Sequence, residues 1–216
     1  MKKNPIRILL ANDHTITRKG LLSMLAIADD MEVIGEASNS QEVQKMVIAL
    51  LPDVLLLDIL MPEILHPFEV AEWVRKNHPQ VIVLPFTDYH RERFLARAVT
   101  MGYKGYLTKE LSAAAFLDAI RRASTGESVM TNEQIAMAKL WQQTIGESWN
   151  SLTHQEREVL RQISTGVSNL EIAMKLCITV KTVESHISNI FRKLDVDSRG
   201  RAIAWIHNHF LDGFPE

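Results

Sequence analysis

Five polar side chains in the first half of the chain stand where strands should end: Asn12 and Asp13, Asp58, Thr87 and Lys109. Asp58 closes Val54-Leu55-Leu56-Leu57, an apolar run of strand length, of the kind covered on both faces in a parallel sheet. Nothing inside such a run suits a carboxylate, so Asp58 belongs at the strand's carboxyl end, where open parallel sheets build their sites. If the strands take the order 2-1-3-4-5, the first and third are neighbours and Asn12-Asp13 comes beside Asp58. Thr87 and Lys109 then join from the fourth and fifth strands. Two carboxylates with nearby carbonyl and water oxygens suit a hard cation such as Mg²⁺. With that charge neutralised, a carboxylate can attack a phosphoryl group, and a lysine and a hydroxyl can hold the new phosphate oxygens. Each residue also has a plainer use, since a carboxylate at a strand end caps a helix or sits in water.

The elements that must position these groups alternate. Short apolar runs at residues 6–11, 32–37, 53–58, 81–86 and 104–108 read as strands. Between and after them, residues 15–27, 40–51, 68–76, 91–101 and a stretch capped by Ser112 have helical spacing. Ile16, Leu21, Leu22 and Leu25 form the apolar stripe of the first helix, and Phe116, Leu117 and Ile120 that of the fifth. Five βα units in succession imply an α/β fold, a doubly wound parallel five-stranded sheet with helices on both faces.

Around Gly126-Glu127 the alternation stops. Residues 131–143 read as a connecting helix and 146–151 as a linker; from Leu152 onward only helical periodicity remains. Thr153 followed three residues later by Glu156 is a capping box. Gly166 suits a helix end, Ser168 or Asn169 a helix start, Thr179 the cap of residues 180–194, and Ser198 the cap of a last helix to Phe210. Short helices joined by tight turns predict a small all-α helix-turn-helix domain. The expected division is 1–126, a linker with a helix at 127–150, and 151–216.

With these residues in view, two resemblances cover nearly the whole chain. Residues 6–124 resemble a response-regulator receiver domain, through Asn12-Asp13-His14, Asp58 with Met61-Pro62, Thr87, and Gly105-Tyr106-Leu107-Thr108-Lys109. The resemblance implies Asp58 as phosphoacceptor, and Asp13, Asp58 and the Leu60 backbone carbonyl as Mg²⁺ ligands. It implies Thr87 and Tyr106 as a switch pair and Lys109 as the phosphate's counter-ion. Tyr106 also reads simply as a half-buried edge aromatic. Asn12 departs from the acidic pair usual in the family. Its amide keeps an oxygen that can orient a metal-bound water, so Mg²⁺ binding is expected but weakened. The loop Glu63-Ile64-Leu65-His66-Pro67 also departs, having proline where the family has a glycine.

Residues 151–211 resemble the LuxR-type DNA-binding domain of the NarL/FixJ subfamily, through Leu152 to Leu160, Ser168-Asn169-Leu170-Glu171-Ile172-Ala173, and Thr182 to Ile190 followed by Arg192-Lys193-Leu194. Val183, Ile187 and Ile190 recur at helical spacing and should face the core. Lys181, Thr182, Glu184, Ser185, Ser188 and Asn189 are then the DNA-facing set, with Lys181 and Lys193 for phosphates. From Ser151 onward eight Lys and Arg meet eight Asp and Glu. The domain thus lacks the basic footprint of strong non-specific binding, and pairing two modules matters more. Ala202, Ile203, Trp205 and Ile206 are the expected dimer surface.

The function expected is that of a two-domain transcriptional response regulator. A sensor histidine kinase phosphorylates Asp58, and a homodimer, joined through the receiver or the C-terminal helix, binds double-stranded promoter DNA; RNA polymerase is a further candidate partner. The alternative is a phosphorylation-independent DNA-binding regulator whose receiver is a scaffold for protein or ligand contacts. An independent enzyme fits poorly, as no Gly-rich phosphate loop is present. No apolar run reaches transmembrane length, no signal-peptide pattern opens the chain, and the lone Cys177 suits a reducing compartment, so the expected location is the cytoplasm.

Overall fold

The computed structural model describes residues 4–59, 61, 67–87 and 92–210. It divides into two compact units, with the boundary between Ala138 and Lys139.

The first unit is a five-stranded parallel sheet in the order β2-β1-β3-β4-β5. The strands are β1 (Ile6–Ala11), β2 (Met31–Ala37), β3 (Val54–Asp58), β4 (Ile82–Thr87) and β5 (Leu107–Thr108). The helices are α1 (Thr15–Leu25), α2 (Ser40–Leu50), α3 (Pro67–Asn77), α4 (Glu92–Thr100) and α5 (Ala113–Ser124). Every residue of β3 is buried, as its unbroken apolar run requires of a central strand. Ser112 caps α5, accepting from the Ala115 N–H at 3.3 Å, and Phe116, Leu117 and Ile120 face the core. Pro67 opens α3, where its missing N–H would have had no partner anyway.

Two expectations change here. Ile16 lies in the first turn of α1 and is 88% exposed, while Leu21 and Leu25 are buried; its spacing does not bring it onto the stripe they make. The fifth strand, expected over 104–108, pairs with β4 only through Phe86–Leu107 and Thr87–Thr108. Pro85, with no N–H to give, lies one residue before that ladder begins.

Beyond α5, α6 (Asn132–Trp141) runs through a five-residue π-helical turn, Gln142–Gly146, into α7 (Glu147–Ser151). The stretch 146–151, expected as a linker, is therefore helical. Its cause is Trp149, which is buried in the core of the second unit against Phe210, ring centroids 4.8 Å apart. That unit continues with α8 (His154–Ser164), α9 (Asn169–Leu176), α10 (Val180–Leu194) and α11 (Arg199–Phe210). Capping boxes at Thr153–Glu156 and Ser168–Glu171 start α8 and α9, and Gly166 takes the left-handed conformation after α8. Cys177 closes α9 in the same conformation (φ 54°) and is exposed. Among the described residues no helix is long and apolar enough to cross a membrane.

Candidate functional site

The ends of β1 and β3 meet as the strand order requires. Asp58 is 3% exposed. Fully buried Asn12 donates from Nδ2 to Asp58 Oδ2 at 2.6 Å. The other end of the amide fixes this orientation: Asn12 Oδ1 accepts the His14 backbone N–H at 2.8 Å, and an N–H can only donate. Arg18 braces the strand end, donating to the Asn12 carbonyl at 2.7 Å and to Glu36 at 3.0 Å. Lys109 Nζ approaches the same Asp58 Oδ2 at 3.4 Å, an ion-pair distance rather than a short hydrogen bond. The Lys109 N–H donates to the Thr87 carbonyl at 3.0 Å, which ties the ends of β4 and β5 together. Thr87 is fully buried, and so is Tyr106, which is not the half-buried edge aromatic of the alternative reading.

Asn12 thus enters the site by its nitrogen, not by the oxygen expected to orient a metal-bound water, because Asp58 can only accept. Asp13 and Asp58 remain as carboxylates for a hard cation, and one or two carboxylates completed by water is what Mg²⁺ commonly takes. The residues present fit Mg²⁺ with less negative charge than an acidic pair beside Asp58 would give. Among the described residues no group of three or more His, Cys, Asp or Glu side chains gathers to hold a metal. Asp13 Oδ1 lies 2.8 Å from His14 Nδ1. Leu60 and loop residues 62–66 lie outside the described residues.

In the second unit α10 buries Val183 and Ile190 in the core, with Ile187 packed against it. Lys181, Glu184, Ser185 and Ser188 are exposed on the same helix. Ser185 and Ser188 donate back to the carbonyls of Lys181 and Glu184 at 3.1 and 3.0 Å. Thr182 belongs to the N-terminal cap, its N–H donating to Thr179 Oγ1 at 3.1 Å, and Asn189 accepts from Arg192 at 3.2 Å. Lys193, expected at a DNA phosphate, instead donates to Glu156 at 2.7 Å and to the Ser151 carbonyl at 2.8 Å. A nearly buried carboxylate needs that ammonium more than an exposed phosphate contact would. The expected dimer surface is likewise revised: Ala202 and Ile206 lie in the core of this unit, and Ile203 and Trp205 pack partly buried against it.

The family model of the response regulator receiver domain matches residues 8–121, and that of bacterial regulatory proteins of the luxR family matches residues 150–206. The chain belongs to the response-regulator family. Among similar proteins, the response regulator protein VraR of Staphylococcus aureus (strain Mu3) is 36% identical over 206 residues, covering 95% of this chain and 98% of VraR. Among solved structures, RcsB from Salmonella enterica serovar Typhimurium, bound to a promoter in the presence of the phosphomimetic BeF3−, gives a TM-score of 0.67 at 21% identity, covering 94% of this chain and 98% of that one. ChrA, a response regulator of a heme-sensing two-component system, gives 0.57 at 30% identity, covering 95% and 98%.

As a response regulator, the chain is a transcription regulator of the two-component type, with a receiver domain and a LuxR-type helix-turn-helix that binds DNA. Several residues that shape the receiver were not visible in its sequence motifs. Arg18 and Glu36 hold the Asn12 strand end from other elements. Val129, Thr131 and Gln134 attach the chain after α5 to the stretch leading into β5. Only the Thr131–Gln134 spacing, that of a capping box, could have drawn attention to that attachment.

Proposed function

We propose that Asp58 accepts a phosphoryl group from a sensor histidine kinase and that the modified chain binds promoter DNA as a homodimer. The observation that carries this is Asp58 itself, a buried carboxylate at a strand end with two nitrogen donors, from Asn12 and Lys109, on one oxygen. A carboxylate oxygen of Asp58 attacks phosphorus. The phosphorus–nitrogen bond of a phosphohistidine breaks as the oxygen–phosphorus bond forms, and the electron pair stays on the imidazole. Asp13 and Asp58 would hold Mg²⁺, which when bound offsets the charge of carboxylate and phosphoryl group. Lys109 and Thr87 are the groups of this chain that take up the new phosphate oxygens.

Dimerisation follows from the neutral second domain: one module without excess positive charge binds weakly, and two joined modules gain effective concentration. For DNA contacts we assign Lys181, Thr182, Glu184, Ser185, Ser188 and Asn189, and not Lys193.

The test is intact-mass analysis after acetyl phosphate with Mg²⁺, alongside oligomer sizing. One phosphoryl adduct per chain that is lost in Asp58→Ala, with a shift towards dimer, is the expected result; no adduct at any Mg²⁺ concentration rejects it. A second reading, a receiver that acts as a scaffold without phosphorylation, has one observation in its favour. Asp58 Oδ2 is already met by Asn12 and Lys109, so the site is held together by its own side chains.

A further inference from the structure

After α5 the chain turns back onto the receiver and attaches to the stretch leading into β5. The Val129 N–H donates to the Lys104 carbonyl at 2.6 Å. The Val129 side chain packs against the receiver core directly over Gly105. A Cβ on Gly105 would come within 2.4 Å of Val129 Cγ2, so a bare backbone here is what admits the valine. Five residues on, Gln134 makes the second attachment. Its Oε1 accepts the Thr131 N–H at 3.0 Å while Thr131 Oγ1 accepts the Gln134 N–H at 3.1 Å, which starts α6. With the oxygen committed to that box, Nε2 points the other way and donates to the Tyr106 carbonyl at 2.9 Å. One side chain both caps the helix that runs on to the second unit and fastens it to the residue just before β5.

The attachment and the acidic site share one short stretch of chain. Lys104 and Tyr106 hold residues 129–134; three residues after Tyr106, Lys109 is the cation on Asp58. Between them β5 pairs with β4 at two ladder positions, and the Lys109 N–H on the Thr87 carbonyl extends that pairing, so the stretch 106–109, buried through Thr108, moves as one piece. With Lys109 on the Asp58 carboxylate, both attachments are closed.

We propose that residues 129–134 are a latch, closed while Lys109 pairs with Asp58 and loosened when Lys109 turns to an anion bound at that site. The proposal rests on the phosphoacceptor reading above and adds the segment through which occupancy of the site is passed to α6. An anion draws Lys109, and with it Leu107 and Thr108, away from the position at which the two attachments fit. Because the coupling is an equilibrium, it runs both ways: opening the latch must tighten anion binding by the same factor by which the anion loosens the latch.

Gln134→Glu separates the two duties of this residue in the full-length chain. A glutamate keeps the acceptor of the capping box but has no N–H for the Tyr106 carbonyl. Gly105→Ala opens the other attachment and adds no charge. BeF3− with Mg²⁺ serves as the anion, its affinity read by tryptophan fluorescence and hydrogen exchange followed over residues 127–138. In the wild-type chain, BeF3− should raise exchange in that segment. Both variants should raise it without BeF3− and bind BeF3− about fivefold more tightly, the worth of roughly one hydrogen bond. Open latches with unchanged BeF3− affinity in both variants overturn the coupling alone. No BeF3− binding to any of the three proteins, at any Mg²⁺ concentration, overturns the phosphoacceptor reading and the coupling with it.

Discussion

Each half of the chain sets a carboxylate with almost no exposure against a lysine, and the two pairs are built for different ends. Glu156 and Lys193 meet at 2.7 Å, and every further contact tightens the clasp. Glu156 also accepts the Thr153 N–H at 2.7 Å, and Lys193 also holds the Ser151 carbonyl. Asp58 and Lys109 stand at 3.4 Å, with Asn12 closer to the carboxylate than the lysine is. The first pair joins the start of α8 to the end of α10 and leaves neither partner with a reason to move. The second is loose, and its lysine sits beside a strand of two residues. The same two functional groups make a rivet at 2.7 Å and a more open contact at 3.4 Å.

The largest effect should come from breaking the rivet. Lys193→Ala leaves a buried carboxylate without its ammonium and should cost the second unit about 3 kcal/mol. Urea unfolding of the full chain reads this through tryptophan, since Trp141, Trp149 and Trp205 all lie in that unit. A small stability loss together with weakened DNA binding would return Lys193 to the DNA-contacting set. The pair also has an acid limit. Burial works to raise the pKa of Glu156, but the hydrogen bonds from Lys193 and Thr153 outweigh it and hold the carboxyl below its ordinary 4.5. A carboxyl whose pKa is lower folded than unfolded stabilises fully above the unfolded value and loses that contribution as pH falls through the folded one. The unfolding midpoint of the second unit should therefore fall below about pH 4.5 in the wild type, and Glu156→Gln should flatten that fall.

Next in size is Asn12→Asp. It replaces the donor 2.6 Å from Asp58 with a second carboxylate, and should lower the stability of the receiver in chelator by about 2 kcal/mol. With Mg²⁺ the order reverses, because the added charge strengthens cation binding. Thermal melts of both proteins in chelator and in Mg²⁺ check this; parallel shifts in the two conditions would mean that position 12 does not touch the cation.

The comparison also explains what could be read from the sequence alone. The strand ending at Asp58, the box at Thr153, the helix start at Ser168 or Asn169 and the cap at Ser112 all rest on residues within a few positions of one another, where spacing determines geometry. Asn12 and Asp58 are 46 residues apart, and Glu156 and Lys193 are 37 apart. No local pattern says which end of an amide faces a distant carboxylate, or that a lysine in a DNA-reading motif is already bound. The helix over 147–151 was hidden for the same reason: Gly, Glu and Ser resemble a linker until Trp149 finds Phe210.

Two smaller effects sharpen the contrast. Glu184→Ala should relax preference at one base pair per half-site, by about 1–2 kcal/mol, where a carboxylate accepts from cytosine N4. Binding to a panel of single-base operator variants measures it; uniform weakening across the panel would make Glu184 a mere surface residue. Lys109→Ala should cost the receiver no more than about 1 kcal/mol, since Asn12 still serves Asp58. The loss should fall instead on the response to BeF3−, seen as hydrogen exchange over residues 127–138 that no longer rises. A stability loss matching that of Lys193→Ala would show that the two pairs are alike after all.

The turn at Cys177 offers a practical way to watch the recognition helix at work. It is the one cysteine in the chain, it is exposed, and it stands two residues before the Thr179 cap of α10. A nitroxide placed there needs no cysteine to be removed first and reports from the start of α10, the helix proposed to read DNA. In a complex of two copies on a two-fold site, each chain carries one label at the same place. The separation of the two spins is then a ruler for the docked pair, to be set against the roughly 34–36 Å of one DNA turn.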